Sequence, residues 1–216
     1  MLKYVLFDLD GTLTESAPGI LNSVRYALRH YGVTDYDESS LNRFVGPPLI
    51  ESFKRFCGFS EEKAQEAVNV YREYFAEKGI FENSPYGGIH ECLRKLKNSG
   101  LTLAVATSKP EVFCRRILEK FGLTEYFTVI KGIPFDDEHM TKAQVIAGVL
   151  GELGVEDLSE AVMVGDRDYD VYGAKENGLM CVGVLYGYGS REELESAGAA
   201  SLAESVEEMG RTLLQI

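Results

Sequence analysis

Asp8 and Asp10 stand one residue apart in Asp8-Leu9-Asp10-Gly11-Thr12, directly after the apolar run Tyr4-Val5-Leu6-Phe7. Strand side chains repeat with a period of two, so both carboxylates start on one side of the chain. Gly11 then lets the backbone leave the strand. Two like charges this close are costly unless a cation, a proton or hydrogen bonds stabilise them. The pair asks for a metal, a shared proton, or both.

The elements that must position this pair follow from hydropathy patterning. A strand is expected over 4–8. From 17 to 31, Ile20, Val24, Ala27, Leu28 and Tyr31 recur at helical spacing, with Pro18 suited to the first turn and Gly32 to the end. A helix through Leu41 and Phe44 precedes the Gly46-Pro47-Pro48 break, and a short one covers 49–56. Ser60 is a fitting N-cap for a long helix reaching Lys78.

After Pro85-Tyr86-Gly87-Gly88 the pattern changes. Helices are expected over 89–98, from Ser108 to about 121, over 142–153, 169–177, 191–197 and 206–214. Strands are expected over 101–106, 127–130, 161–164 and 181–184. In Ser108-Lys109-Pro110-Glu111 the serine and glutamate stand at capping-box spacing, with the proline in the first turn. Strands alternating with helices imply a Rossmann-like parallel sheet with helices on both faces. The fold class is therefore α/β. A helical block near 15–82 interrupts the alternation and reads as an inserted domain, leaving 1–14 and 83–216 as the core.

Ligands of open α/β sheets sit beyond the carboxyl ends of the strands. Those ends carry Asp8 and Asp10, then Thr107 and Ser108, then Gly165-Asp166-Arg167-Asp168-Tyr169-Asp170. Four or five carboxylates thus converge on one crevice, with two hydroxyls opposite. That set suits Mg²⁺, a hard cation that takes carboxylates, waters and a substrate phosphate. No cysteine or histidine falls at these ends, so a zinc site is not expected. Without a metal the acids would repel a phosphate. At an effective dielectric near 20, two unit charges at about 4 Å repel by about 4 kcal/mol.

In that order, Asp8–Thr12, Thr107-Ser108, Lys142 and Gly165–Asp170 resemble the four motifs of the haloacid dehalogenase superfamily. The resemblance covers the whole chain, and the insert is similar to the helical cap placed after the first strand. D-x-D-G-T ending an early strand is a strong signal and G-D-x-x-x-D a moderate one. A lone Thr-Ser or Lys is weak, but the ordered set is specific.

The resemblance implies Asp8 as nucleophile, giving an aspartyl-phosphate, and Asp10 as acid and then base. It implies Thr107 and the amide of Ser108 on the transferring phosphoryl group, and Lys142 as the neutralising cation. Mg²⁺ would be held by Asp8, the backbone carbonyl of Asp10 and Asp166, with Asp170 nearby, directly or through water. Dehalogenases lack the second aspartate, because halide leaves without a proton. The presence of Asp10 points to phosphatases and phosphomutases, and most closely to the phosphoglycolate-phosphatase-like group. Gly46-Pro47-Pro48-Leu49, 106–111 and Tyr186-Gly187-Tyr188-Gly189-Ser190 support that likeness, while Glu15 departs from the aspartate common after the D-G-T-L segment. A small phosphomonoester is the expected substrate. The alternatives are a β-phosphoglucomutase-like mutase, a 5′-nucleotidase or pyrophosphatase, and a non-catalytic binding protein.

Composition fits this reading. The 216 residues are 45% apolar, enough for a core plus a small insert, and the net charge of −12 disfavours a nucleic-acid partner. No apolar run has the length of a membrane span. Cys57, Cys92, Cys114 and Cys181 are scattered, which reads as free thiols in a reducing cytoplasm. A cytoplasmic monomer or homodimer is expected.

The remaining candidates are weaker. Arg43 and the Gly46-Pro47 turn are read as closing over substrate, or as structure internal to the insert. Tyr71, Tyr74 and Phe75 are read as packing residues. Ser108 is read as the cap of the following helix, and Asp168 as an acid in the first turn of the next one. Arg167 is left between substrate contact and salt bridge. Tyr186 and Tyr188 are left between ring stacking and an ordered loop. His30, His90 and His139 are read as remote from the strand ends.

Overall fold

The computed structural model describes residues 1–135 and 140–216; His139 lies outside them. The chain opens with β1 (Tyr4–Phe7) and crosses β2 (Thr14–Glu15) into α1 (Ala17–His30), α2 (Leu49–Cys57) and α3 (Glu61–Glu77). It returns through β3 (Ser84–Pro85) to α4 (Ile89–Asn98), β4 (Thr102–Pro110), α5 (Glu111–Lys120), β5 (Phe127–Ile133) and α6 (Lys142–Leu153). There follow β6 (Ala161–Gly165), α7 (Asp168–Glu176), β7 (Met180–Val184), α8 (Arg191–Ala197), β8 (Ser201–Ala203) and α9 (Val206–Leu213). It divides into two compact units, one of Met1–Thr14 with Pro85–Ile216, the other of Glu15–Ser84.

In the first unit the described residues form a six-stranded parallel sheet in the order β5-β4-β1-β6-β7-β8. Val5, Leu6 and Phe7 of the central β1 have no exposed surface. This is the pattern of a strand covered on both faces. Helices α6, α7 and α8 pack on the side of Leu6 and Met163, through Val145, Ile146, Val149, Val171, Ala174 and Leu194. Right-handed crossovers put α4 and α5 on the opposite side. The chain leaves β1 toward β4 and β5, and returns across it to β6. The crevice beyond the carboxyl ends of β1 and β6 is therefore the topological switch point, where such sheets take ligands.

One expected boundary is corrected at the carboxyl end of β4. The strand does not stop at Ala106 but runs to Pro110, and α5 starts at Glu111 with no side-chain cap. Proline bars the preceding residue from the helical region, so Lys109 stays extended and Ser108 cannot open the helix. Pro110 itself is extended, at φ −51° and ψ 127°. Burial then alternates along the strand: Thr107 and Lys109 are buried, while Ser108 between them is exposed. Strand β8 and the extension of β5 past Ile130 were also not expected.

The second unit is helical with an apolar core of its own. Ile20, Val24, Ala27 and Leu28 line the buried side of α1. Ser60 caps α3, its Oγ accepting from the Lys63 amide at 3.3 Å. Phe53 is fully buried, stacked on Phe59 at 6.0 Å and edge-on to Phe44 at 5.2 Å. Tyr71 stacks on Phe75, and the Tyr74 hydroxyl donates to Glu82, so these three aromatics pack the unit as read. The segment through Leu41 and Phe44 is a 3₁₀ helix, Glu38–Phe44, rather than an α-helix. No helix among the described residues is long and apolar enough to cross a membrane. Among those residues the four cysteines are free thiols, three of them buried.

Candidate active site

Each motif reaches the same end of the sheet from a different element. Asp8 follows β1 directly, its amide donating to the Val164 carbonyl of β6 at 2.9 Å. Asp166 follows β6, and Asp170 lies in the first turn of α7. Lys142 is the first residue of α6, whose start is fixed by a reciprocal cap between Thr141 and Gln144. Its Nζ lies 2.5 Å from Asp8 Oδ1 and 2.7 Å from Asp170 Oδ1. Lys142 is thus clamped between two motifs separated from it by 134 and 28 positions.

Carboxylate oxygens of Asp8, Asp166 and Asp170 lie within 4.8 Å of one another, and all three residues are buried. Burial pushes the Asp8 carboxyl up from 3.8 to about 6, against the pull of the Lys142 ammonium. Burial, joined by the charges of Asp170 and Asp8, raises Asp166 well above the usual range. Burial alone would lower Lys142, but the charges of Asp170 and Asp8 more than offset it and hold it protonated. Three buried acids facing one ammonium leave negative charge in excess. The all-oxygen donor set fits a hard divalent cation, which would relieve that excess.

The backbone around Asp166 is built to hold it. Gly11 has φ +84°, and a Cβ there would lie 2.2 Å from Asp166 Oδ2. A Cβ on Gly187 would lie 2.4 Å from both the Asp166 Cβ and the Gly11 carbonyl oxygen. The Tyr188 amide donates to Asp166 Oδ2 at 2.8 Å. The 186–189 loop is therefore an ordered carboxylate cradle. The Tyr186 hydroxyl donates to the Thr12 carbonyl, and its ring packs edge-on against Tyr86 at 4.9 Å.

Gly11→Ala is expected to cost about 1–3 kcal/mol of stability through left-handed strain and displacement of Asp166. It should also weaken divalent-cation affinity by more than tenfold, on the order of the loss seen when a ligand's support is removed. Denaturant unfolding and calorimetric titration measure the two.

Asp10 is in a different setting from Asp8. Its carboxylate is not part of the buried triad; both its oxygens meet Lys109 Nζ, at 3.0 and 2.7 Å. Lys109 was missed in the sequence, where it was absorbed into an expected helix start. Its one sequence signal is that it stands two residues beyond Thr107, on the same side of an extended chain. Thr107 is 1% exposed, and its Oγ1 accepts from the Lys109 amide at 3.2 Å. Ser108 is exposed and does not cap α5. Arg167 makes a salt bridge, with Nε 2.7 Å from Glu193 Oε1, and Asp168 sits in the first turn of α7 and accepts from the Tyr169 amide. Arg43 belongs to the helical unit, is exposed, and lies with its guanidinium 5.9 Å from the centre of the Phe56 ring. His30 and His90 are exposed and pair with the rings of Tyr31 and Tyr126.

A cation bound among these acids competes with protons, which gives a pH dependence of definite sign. Because the folded pKa of Asp8 is raised, the stability linked to its protonation is full below about 3.8 and is lost as pH rises through about 6. Without metal, the protein therefore loses stability across that window. Saturating Mg²⁺, at about 100 times its Kd, should restore about 2.7 kcal/mol, roughly 5–10 °C in Tm, at pH 7.5. The same addition at pH 5 should give less than about half of that shift, because protons occupy the carboxylates. Thermal denaturation at the two pH values, with and without Mg²⁺, measures this.

A parallel sheet with the first acid pair after its central strand, a lysine from α6 and two further acids after β6 is the arrangement of one hydrolase family. Residues 5–184 match the sequence model described as haloacid dehalogenase-like hydrolase, and the chain belongs to that family. The crystal structure of a predicted phosphatase from Clostridium acetobutylicum is 49% identical, superposes with a TM-score of 0.95, and covers all of both chains. A Pseudomonas aeruginosa protein named 5′-nucleotidase is 44% identical over 90% of this chain and 89% of its own. The Mycobacterium tuberculosis protein named Tyrosine-protein kinase PtkA is 41% identical over 98% of this chain and 72% of its own.

Proposed function

We propose that the chain is a Mg²⁺-dependent phosphatase that hydrolyses a small phosphomonoester through an aspartyl-phosphate on Asp8. The observation that carries this reading is the separation of two neighbouring carboxylates into different environments. Asp8 sits with Lys142 and the buried acids, and Asp10 sits apart on Lys109. Paired acids held in unlike settings can take unlike roles.

In the first step an Asp8 oxygen attacks phosphorus, the bond from phosphorus to the leaving oxygen breaks, and Asp10 gives that oxygen a proton. In the second, a water attacks phosphorus and gives its proton to Asp10. The bond from phosphorus to Asp8 breaks and inorganic phosphate leaves. Lys142 balances the charge of nucleophile and phosphoryl group, and Thr107 with the Ser108 amide orients the phosphoryl oxygens. Asp8, the Asp10 backbone carbonyl and Asp166 would hold Mg²⁺, with Asp170 acting directly or through water. When bound, Mg²⁺ supplies positive charge that offsets the phosphoryl charge. The helical unit is assigned the setting of specificity, with Arg43 as its candidate substrate-binding residue.

Nucleoside 5′-monophosphates lead the candidate substrates, because a relative of 44% identity carries the name 5′-nucleotidase. Phosphoglycolate and inorganic pyrophosphate follow. Phosphate release from a panel of phosphometabolites, with Mg²⁺ and with a chelator, tests the proposal. At least one ester should be hydrolysed, and chelation should abolish its hydrolysis. Conversion of β-glucose 1-phosphate to glucose 6-phosphate without free phosphate would instead identify a mutase.

A further inference from the structure

The ion pair between Lys109 and Asp10 has a consequence for turnover. Lys109 lies 99 positions from Asp10, and its side chain is only 6% exposed, so this ammonium is committed to the protein interior. A buried ammonium is retained only where its partner is well placed. Here it meets both oxygens of one carboxylate, at 3.0 and 2.7 Å, which fixes the carboxylate's rotation as well as its distance.

The lysine is itself anchored. Pro110 keeps it extended, and its amide donates to Thr107 Oγ1. Strand β5 presses on its backbone so closely that a Cβ on Gly132 would lie 2.3 Å from the Lys109 carbonyl oxygen. Asp10, by contrast, lies three residues beyond the end of β1, and its backbone is held only by an isolated bridge to Thr14 among the described strand pairings. A short side chain in a turn needs an outside anchor to hold one orientation, and proton transfer demands one.

We infer that Lys109 is a positioning residue for Asp10, holding its carboxylate in the orientation from which it exchanges a proton with the leaving oxygen. The inference rests on the reading of Asp10 as the proton-transfer group. Lys109 acts through Asp10, so its removal should matter only where that proton matters. An aliphatic alcohol leaves as a strong base and needs the proton, whereas 4-nitrophenolate leaves without it.

The test compares kcat/KM, which reports transfer to Asp8, for two esters: the best aliphatic phosphomonoester of the panel and 4-nitrophenyl phosphate. Lys109→Met should lower the value for the aliphatic ester by about tenfold or more, and that for the aryl ester by less than about threefold. Asp10→Asn should show the same contrast more strongly. The double variant should be no worse than Asp10→Asn alone, since both changes remove one function. Lys109→Gln, which keeps a donor for one carboxylate oxygen, should fall between wild type and Lys109→Met. It is read in the same way if the methionine variant does not fold. Equal losses on both esters in the lysine variants, with the contrast intact in Asp10→Asn, would overturn the inference and leave the reading of Asp10 standing. Equal losses in Asp10→Asn would overturn that reading, and the inference with it.

Discussion

Asp8→Asn is expected to lower phosphate release by on the order of 10⁴-fold or more, the scale seen when a group that reacts covalently is removed. The amide keeps the size and shape of the carboxylate but cannot carry the negative charge that attacks phosphorus. The fold should survive. Asp8 is buried and its carboxyl is pushed up to about 6, so a neutral side chain there relieves a desolvation cost rather than adding one. The variant should therefore unfold at a temperature equal to or above that of the metal-free parent at pH 7.5. Steady-state phosphate release on the best panel substrate, read beside thermal denaturation, gives both quantities. Loss of activity with loss of fold, or full activity in a folded variant, would each contradict the assignment.

The second large effect is expected at Lys142. Its ammonium is held between Asp8 and Asp170 at 2.5 and 2.7 Å, and its side chain is 6% exposed. Lys142→Met preserves the stem that packs against α7 but leaves buried carboxylates facing one another. Breaking a buried pair from one side typically costs about 3–5 kcal/mol. A loss of about that size is expected at pH 7.5 without metal, by denaturant unfolding. The loss should shrink toward pH 5, because protons then take the place of the ammonium on the raised carboxyls. Mg²⁺ should recover part of the stability. Turnover should stay about 10²–10³-fold down even at saturating Mg²⁺, since charge placed where the phosphoryl group is transferred is not replaced by charge elsewhere. A variant as stable and as active as the parent would show that the clamp is incidental.

Much of the architecture was legible because periodic patterns and punctuation agreed. The helix expected over 142–153 is α6, which the structure opens on a reciprocal cap between Thr141 and Gln144 and ends at Gly154 in a left-handed turn. Helix α8 was bounded the same way, with Ser190 capping and Gly198 ending it. The stretch 107–111 misled because two local rules competed. Ser108 and Glu111 have capping-box spacing, yet the restriction that Pro110 places on Lys109 prevailed and kept the chain extended. Strand β8 escaped because Ser201-Leu202-Ala203 is short and its pattern matches neither template. It forms by pairing with β7, a contact that no local window contains.

The candidate site was legible where a motif carries its own signal and dark where partners meet only in three dimensions. Asp8, Asp10, Asp166 and Asp170 could be singled out because strand ends converge in a parallel sheet. Lys142 had only order and position behind it, and the fold gives it two carboxylate partners. Lys109 had only its place two residues beyond Thr107 to mark it off from a surface lysine, since its partner is 99 residues away. The cradle of Gly11, Gly187 and the Tyr188 amide was hidden for the same reason, being backbone chemistry that side-chain types do not announce.

The central claim is that the phosphoryl group passes through Asp8. Rapid mixing with an excess of enzyme, Mg²⁺ and a ³²P-labelled ester of the panel, followed by acid quench over milliseconds to seconds, tests it most directly. The expected result is a transient label on the protein, sensitive to hydroxylamine, that maps to the peptide containing Asp8 and is absent in Asp8→Asn. Complete turnover with no labelled protein at any time, or a label mapped to another residue, would contradict the account.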